Sequence, residues 1–405
     1  MARLSAASAE VVRATLPVIG AAIGDITPVF YRRLFAANPE LIRDLFNRGN
    51  QAQGDQQRAL AGSIAAYATL LVAEDGPEPE AVLARITHKH ASLGITEELY
   101  PVVHEHLFAA IVEVLGDAVT PEIAAAWDEV YWNMANALIA IEKGLYEQAD
   151  VKPGQVWRTV VVAEKAQQTP DTVTFVVEST DGSPLPSYRP GQYLSVAVRL
   201  PDGARQIRQY SLIGAPEGRT ETSVWAFSVK RVPATPDAPA GEVSNHLHDR
   251  VAVGDAVEVS TPYGELSLTD EGPLVLVSAG IGVTPMLGFL RYLGSLSSER
   301  EVLVLHADRA AERHAHRDEV AELVAALPAA TQVRWYEDLG GAPVTDDLLL
   351  GRIDLSPIEL PQDATCYLCG PVPFMAGVKR ALLARGVDAD RIHYEVFGPD
   401  RELSA

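Results

Sequence analysis

Asp150-Val151-Lys152-Pro153-Gly154, a short polar stretch ending in a Pro-Gly pair, separates two kinds of hydrophobic pattern in this chain. Upstream of it, as far as Gln148, apolar residues recur at helical spacing. Leu60, Ile64, Tyr67 and Leu71 fall on one such stripe. Pro121, directly after Thr120, suits a first helical position and opens a long helix carrying Trp127, Val130, Met134, Leu138 and Leu145. Residues 1–149 are therefore expected to be all-α. Downstream, the runs Val156–Ala163, Thr172–Glu178, Tyr193–Arg199 and Val224–Arg231 are β-rich and broken by Gly, Pro and Asp. They predict an antiparallel barrel or sandwich over residues 150–268. From Pro273 the pattern changes again. Strand-like Pro273–Ala279, Glu301–His306, Gln332–Tyr336 and Ala364–Cys369 alternate with helical Met286–Leu296 and Asp318–Ala326. Alternation of that kind predicts a parallel α/β sheet over residues 269–405. Pro233–Ala240, with three prolines, reads as a surface loop.

Three units fit the length, since 405 residues exceed what one core supports at ~150 residues per domain. Apolar residues make up 47% and charged residues 21%, a globular composition. The net charge of −21 disfavours nucleic acid and anionic membrane as partners. Cys366 and Cys369 are the only cysteines, too few to staple the chain, so a reducing compartment is expected. Glu10 and Arg13 interrupt the N-terminal segment where a signal peptide needs apolar residues, and no charge-free run approaches about 18 apolar residues. A cytoplasmic monomer without integral membrane association is the expectation.

His90 carries the first chemical argument. Leu83, Ile86 and His90 lie at i, i+3 and i+7, so the imidazole shares the buried face of its helix, whereas His88 points away. Alone, such a residue reads as a core histidine bonded to a carbonyl. Gln56 alters the balance. It sits on the apolar stripe of an earlier helix with Leu60 and Ile64, and a buried amide needs a partner. A His and a Gln on facing helices are what a haem pocket with a polar distal side requires.

Phe30-Tyr31-Arg32-Arg33-Leu34-Phe35, Asn38-Pro39-Glu40-Leu41, Gly54-Asp55-Gln56, Lys89-His90 and Glu105-His106-Leu107 resemble the globin domain of the flavohaemoglobin family. The resemblance implies that His90 is the proximal iron ligand and that Tyr31 and Gln56 hydrogen-bond bound O₂. It further implies that Tyr100 and Glu142 flank the ligand histidine and that Leu60 restricts the distal site. A carboxylate on the ring N–H pushes electron density toward iron, which oxygen storage does not need.

Arg208-Gln209-Tyr210-Ser211 on a β-run, preceded by Pro190-Gly191-Gln192-Tyr193, offers residue types suited to a flavin. Arg pairs with a diphosphate, Tyr covers an isoalloxazine, and Ser reaches a ring nitrogen. Gly241-Glu242-Val243-Ser244 then precedes a short helix whose N-terminus suits phosphate. An isolated Arg-x-Tyr-Ser is more often a surface strand. The order of the motifs resembles the FAD domain of the ferredoxin-reductase superfamily, although Pro233–Ala240 is longer than usual there.

Ser278-Ala279-Gly280-Ile281-Gly282-Val283-Thr284-Pro285 follows an apolar strand and opens a helix, allowing a pyrophosphate close to the backbone. Cys366-Tyr367-Leu368-Cys369-Gly370-Pro371 ends another strand. A zinc site lacks a second ligand pair, so two free thiols are expected, and Cys369-Gly370-Pro371 resembles the superfamily's nicotinamide-side turn. Glu395-Val396-Phe397-Gly398-Pro399 resembles the closing segment, with Phe397 beside the flavin. Val396 replaces a frequent Cys. Lys89 and Glu395 fall where the family tunes haem potential across the domain junction.

The resemblance spans the whole chain. It implies an all-α globin, an antiparallel β-barrel FAD domain and a ferredoxin-reductase-like α/β NAD(P)-binding domain. Its cofactors are haem b, FAD and NADH or NADPH. The implied activity is nitric oxide dioxygenation, with O₂ and NO as small-molecule partners. The alternatives are a haem-based O₂ or NO sensor and an FAD/haem peroxide or quinone reductase. Arg309 and Arg313 can meet a 2′-phosphate, but Asp308 and Glu312 are interleaved, which favours NADH.

Overall fold

The computed structural model describes residues 4–73, 79–236, 238–268 and 271–398, with residues 79–82 described as backbone alone. Seven helices come first: α1 (Ala6–Ala37), α2 (Pro39–Asp44), α3 (Arg48–Ala52), α4 (Asp55–Val72), α5 (Pro79–Leu93), α6 (Leu99–Leu115) and α7 (Pro121–Gln148). α7 starts as expected: the Thr120 side chain accepts the Ile123 N–H and Pro121 occupies the first position. α1, α4 and α7 share a core through Val12, Ile19, Ala68, Trp127 and Val130. By length and composition α1 and Leu99–Ala118 could cross a membrane, which the charge-interrupted sequence did not lead us to expect. Here they pack as amphipathic elements, with Phe30 and Leu34 of α1 against Leu107 and Ala110 of α6.

The middle unit holds β1 (Trp157–Thr169), β2 (Thr172–Ser179), β3 (Tyr193–Arg199), β4 (Arg205–Ser211), β5 (Val224–Lys230), α8 (Glu242–Arg250) and β6 (Ala256–Ser260). The antiparallel order is β4-β3-β6-β1-β2-β5. A bridge between Leu212 and Phe227, with Ile213 N–H bonded to Ala226 O at 3.0 Å, brings the two edge strands together and closes the barrel. β1 runs on past Ala163 because irregularities at Val162/Glu164 and Gln167/Thr169 let it bend without losing its partner.

The last unit contains β7 (Leu274–Ala279), α9 (Val283–Ser295), β8 (Val302–Ala310), α10 (Arg317–Ala326), β9 (Ala330–Asp338), β10 (Leu348–Leu350), β11 (Thr365–Cys369), α11 (Val372–Ala384) and β12 (Ile392–Glu395). Its sheet is parallel throughout, ordered β10-β9-β8-β7-β11-β12. α9 and α10 cover one face and α11 the other. The short strands β6, β10 and β12 lack a run long enough to stand out in sequence; neighbouring strands define them.

The junction stretch is a packed seam. Tyr146, Val156 and Tyr263 form one buried cluster with Ala91. Gly94, at φ +77°, ends α5 so close to the junction that a Cβ would lie 3.2 Å from Gly154 O.

Candidate cofactor site

α5, α6 and α7 bring three polar groups together inside the helical unit. His90 Nδ1 lies 2.8 Å from Glu142 Oε1 and 3.3 Å from the Tyr100 hydroxyl, which itself donates to Glu142 Oε1 at 2.6 Å. Glu142 is 2% exposed. Burial and that carboxylate raise the Tyr100 pKa, keeping the phenol protonated as a donor. With Nδ1 engaged, His90 lines the adjoining cavity with Nε2 as the nitrogen left for a metal.

Across the cavity stand Tyr31, Gln56 and Leu60. Tyr31 is 4% exposed, and burial raises its pKa, opposed in part by the Gln56 and Gln51 side chains beside its hydroxyl. Its ring stacks on Phe35 and meets Phe46 edge-on. Phe30, Ile64, Ile86, Leu93, Val102 and Leu138 supply apolar wall between the two polar ends. An apolar slot with one satisfied imidazole on one side and a phenol and an amide on the other fits haem.

The same cavity continues into the barrel, and its volume, about 1190 Å³, exceeds the ~300–1,000 Å³ usual for one ligand. Arg208, Tyr210 and Ser211 of β4 line this second half with Gly241, Val243 and Ser244 at the start of α8. Burial lowers the Arg208 pKa, and the one hydrogen bond of its guanidinium among the described residues goes to Ile207 O. A desolvated guanidinium beside a helix N-terminus is suited to a diphosphate. Tyr210 stacks on Phe227 at 5.6 Å, which fixes its ring. Tyr193 is buried and paired to Tyr263 through the backbone, while Gln209 commits its amide to Ser195 Oγ at 2.9 Å. The Ser244 hydroxyl accepts the Val232 N–H and donates to Gly241 O. Val243 is core.

Gly280, Ile281 and Gly282 form a tight turn between β7 and α9, with Val283, Thr284 and Pro285 buried in the first turn of α9. Ile281 and Thr284 reach the cavity. Gly282 touches the end of β11 where Cys369, Gly370 and Pro371 turn out of the sheet. Glu395 and Val396 flank the cavity, and Phe397, 46% exposed, stands at its edge. Lys89 Nζ reaches Gly398 O at 3.4 Å, so the helical side of the junction touches the closing segment. Pro399 lies outside the described residues.

Cys366 and Cys369 are both free, as expected, and they face opposite sides of the sheet: Cys366 packs with Met375 and Val378, Cys369 with Met286 and Leu290. Burial pushes the Cys366 thiol up to about 12, and burial with nearby Glu395 raises that of Cys369 as well. Neither is a redox partner of the other. We expect under ~5% labelling of either thiol by a charged disulfide reagent at neutral pH in the native protein, and full labelling in denaturant. Rapid native labelling would contradict this placement.

Lys89 aside, several contacts at the junction escaped the sequence. Arg85, His88, Lys89 and Ser92 form an i, i+3, i+4, i+7 stripe on α5 that docks on the other units. Arg85 pairs with Glu265 at 2.8 Å, His88 Nδ1 accepts the Gly264 N–H at 3.1 Å, and Ser92 Oγ accepts from Ser195 Oγ at 2.9 Å. That polar stripe opposite the His90 face was a readable signal. Lys230 was not readable: its Nζ lies 3.9 Å from where a Cβ of Gly280 would be, so β5 places a cation over the nucleotide turn.

Comparison with known proteins agrees with this arrangement. The globin family matches residues 29–138, the oxidoreductase FAD-binding domain residues 159–268 and the oxidoreductase NAD-binding domain residues 276–380. The flavohemoprotein of Rhizobium meliloti (strain 1021) is 41% identical, covering 96% of this chain and 97% of its own. That of Chromobacterium violaceum is 43% identical over 98% of both. The flavohemoglobin of Malassezia yamatoensis, solved with bound FAD and heme, superposes with a TM-score of 0.89 at 37% identity, covering 98% of this chain and all of that one. The FAD/NAD-binding domain of the nitric oxide dioxygenase of Vibrio cholerae is 39% identical, covers 60% of this chain and all of its own, and superposes with a TM-score of 0.55. Likeness that runs through all three units in order, and reaches both halves of the shared cavity, shows that this chain belongs to the flavohemoprotein family and takes haem, FAD and a nicotinamide nucleotide as cofactors.

Proposed function

We propose that the protein is an NAD(P)H-dependent nitric oxide dioxygenase, converting two NO and two O₂ to two nitrate ions for each NAD(P)H oxidised. In this reading residues 1–149 are the haem unit, 150–268 the flavin unit and 269–405 the nucleotide unit. When bound, the nucleotide supplies hydride, the flavin divides it into single electrons, and haem supplies the iron at which O₂ and NO react.

The observation that carries the reading is the Glu142–His90–Tyr100 contact. A carboxylate 2.8 Å from Nδ1 makes His90 a stronger electron donor through Nε2, an arrangement suited to turning O₂ over. Tyr31, held neutral and protonated by burial, donates a hydrogen bond on the distal side, with Gln56 beside it. Leu60 keeps that side narrow. Arg208 and the start of α8 hold the flavin diphosphate, Tyr210 and Ser211 orient its ring system, and Phe397 yields to the nicotinamide. The short turn at Gly280–Gly282 receives the nucleotide pyrophosphate, with Lys230 above it. Lys89 and Glu395 act across the junction between the units. The Vibrio cholerae relative bears the same activity in its name.

Stopped-flow mixing of NO with the reduced, aerobic protein is expected to yield stoichiometric nitrate; NO loss without nitrate sinks the reading. Tyr31→Phe should release O₂ about 10- to 100-fold faster, the worth of one hydrogen bond to a charged acceptor. An unchanged dissociation rate removes Tyr31 from that role.

A further inference from the structure

Gln206 lies in β4, two residues before Arg208, and is fully buried against the helical unit. Its Nε2 donates to Arg43 O at 3.1 Å, Phe46 O at 3.2 Å and Ile42 O at 3.4 Å, and its Oε1 accepts the Arg48 N–H at 3.3 Å. Ile42 and Arg43 belong to the last turn of α2, and Arg48 is the first residue of α3. Helix ends leave carbonyls and N–H groups without partners inside the helix. One amide from the FAD unit satisfies the end of one helix and the start of the next. A carboxylate there would face three carbonyls, and an apolar chain would leave all four groups unbonded. Flanking contacts reinforce the clasp: Arg205 N–H donates to Asp44 Oδ1 at 3.1 Å, and Arg48 pairs with Asp202 at 2.6 Å and Glu242 at 2.7 Å.

The connector held in this way carries Phe46. Its ring lies 5.9 Å from that of Tyr31, edge-on at 77°, and 5.3 Å from that of Phe35. Two contacts thus lead from the flavin strand to the distal phenol. We propose that Gln206 is a positioning residue: by fixing the α2–α3 connector to β4 it seats Phe46 against Tyr31, so that the FAD unit completes the O₂ site. This rests on Tyr31 being the distal donor.

Gln206→Met preserves volume and removes the side-chain hydrogen bonds to the α2–α3 connector. In the full-length holoprotein it should speed O₂ dissociation about tenfold while FAD reduction by NADH stays within about twofold of the parent. Phe46→Leu should act in the same direction, and the double variant should be no faster than the faster single one, because both interrupt one path. A residue that served stability alone would lower the unfolding midpoint without moving the O₂ rate. An unchanged rate in Gln206→Met, or effects that simply multiply, overturns the proposal. If Gln206→Met fails to hold haem, Phe46→Leu decides: a faster rate supports the path and an unchanged one overturns it. Tyr31→Phe is measured alongside. No effect there overturns the distal reading and this one together; an effect there with none in Gln206→Met overturns the coupling alone.

Discussion

His90→Ala is expected to yield a folded flavoprotein that has lost its Soret band. In the proposed reading the His90 imidazole is the iron ligand, held through Nδ1 by Glu142 and Tyr100. Outer partners of a ligand histidine are worth ~10–100-fold in metal affinity, so removing the ligand itself should cost more than that. Haem content after purification should fall close to zero, and NO consumption with it. The flavin band should remain, because Arg208, Tyr210 and the start of α8 lie in a separate unit closed by its own barrel core. Reduction of ferricyanide by NADH through the flavin should stay within about twofold of the parent. Added imidazole should restore part of the Soret absorbance by filling the space left by the ring. Normal colour and ligand binding in the alanine variant would end the proximal assignment of His90 and the functional reading built on it.

Gly282→Ala should have the largest effect on the other end of the electron path. A Cβ there would sit 2.3 Å from Cys369 O, 2.5 Å from Cys369 C and 2.8 Å from Gly370 N, all backbone atoms that no rotamer change can move. To accept the methyl group, the start of α9 must separate from the end of β11, the two turns proposed above to receive the nucleotide. Overpacking of a tight contact costs about 1–3 kcal/mol, and the upper figure corresponds to ~100-fold in rate if it falls on the transition state. Flavin reduction by NADH should therefore slow by about 100-fold. The Soret band, and O₂ binding after chemical reduction with dithionite, should match the parent. Stopped-flow absorbance at the flavin band measures the first and the haem spectrum the second. Flavin reduction at the parental rate would show that this close approach does not shape the nucleotide site.

Much of the architecture could be read before any coordinates. The switch from period 3.6 to period 2 at Asp150–Gly154, and the later alternation of strand and helix, fall where α7 ends, where β1 begins and where β7 opens the parallel sheet. Each signal is local, since it depends on which side of one element meets the core. His90 was legible because its helix has a clear apolar face, and Gln56 because an amide on such a face is costly. Cys366 and Cys369 show how spacing misleads: three residues apart on a strand, they face opposite sides of the sheet and enter separate cores. β6, β10 and β12 are too short for a pattern to emerge and are strands only because longer neighbours pair with them.

By itself the amino-acid order settled the kinds of element and their sequence, because those follow from side-chain periodicity, while the cofactor types entered through the resemblance of its motifs to a known family. Tertiary structure decided how the three units share one cavity. It set Glu142 against His90 from 52 residues away and Gln206 against Phe46 from 160, and it closed the barrel through Leu212 and Phe227. Contacts of that length depend on the packing of whole helices and strands. No short stretch of chain contains the information to place both partners.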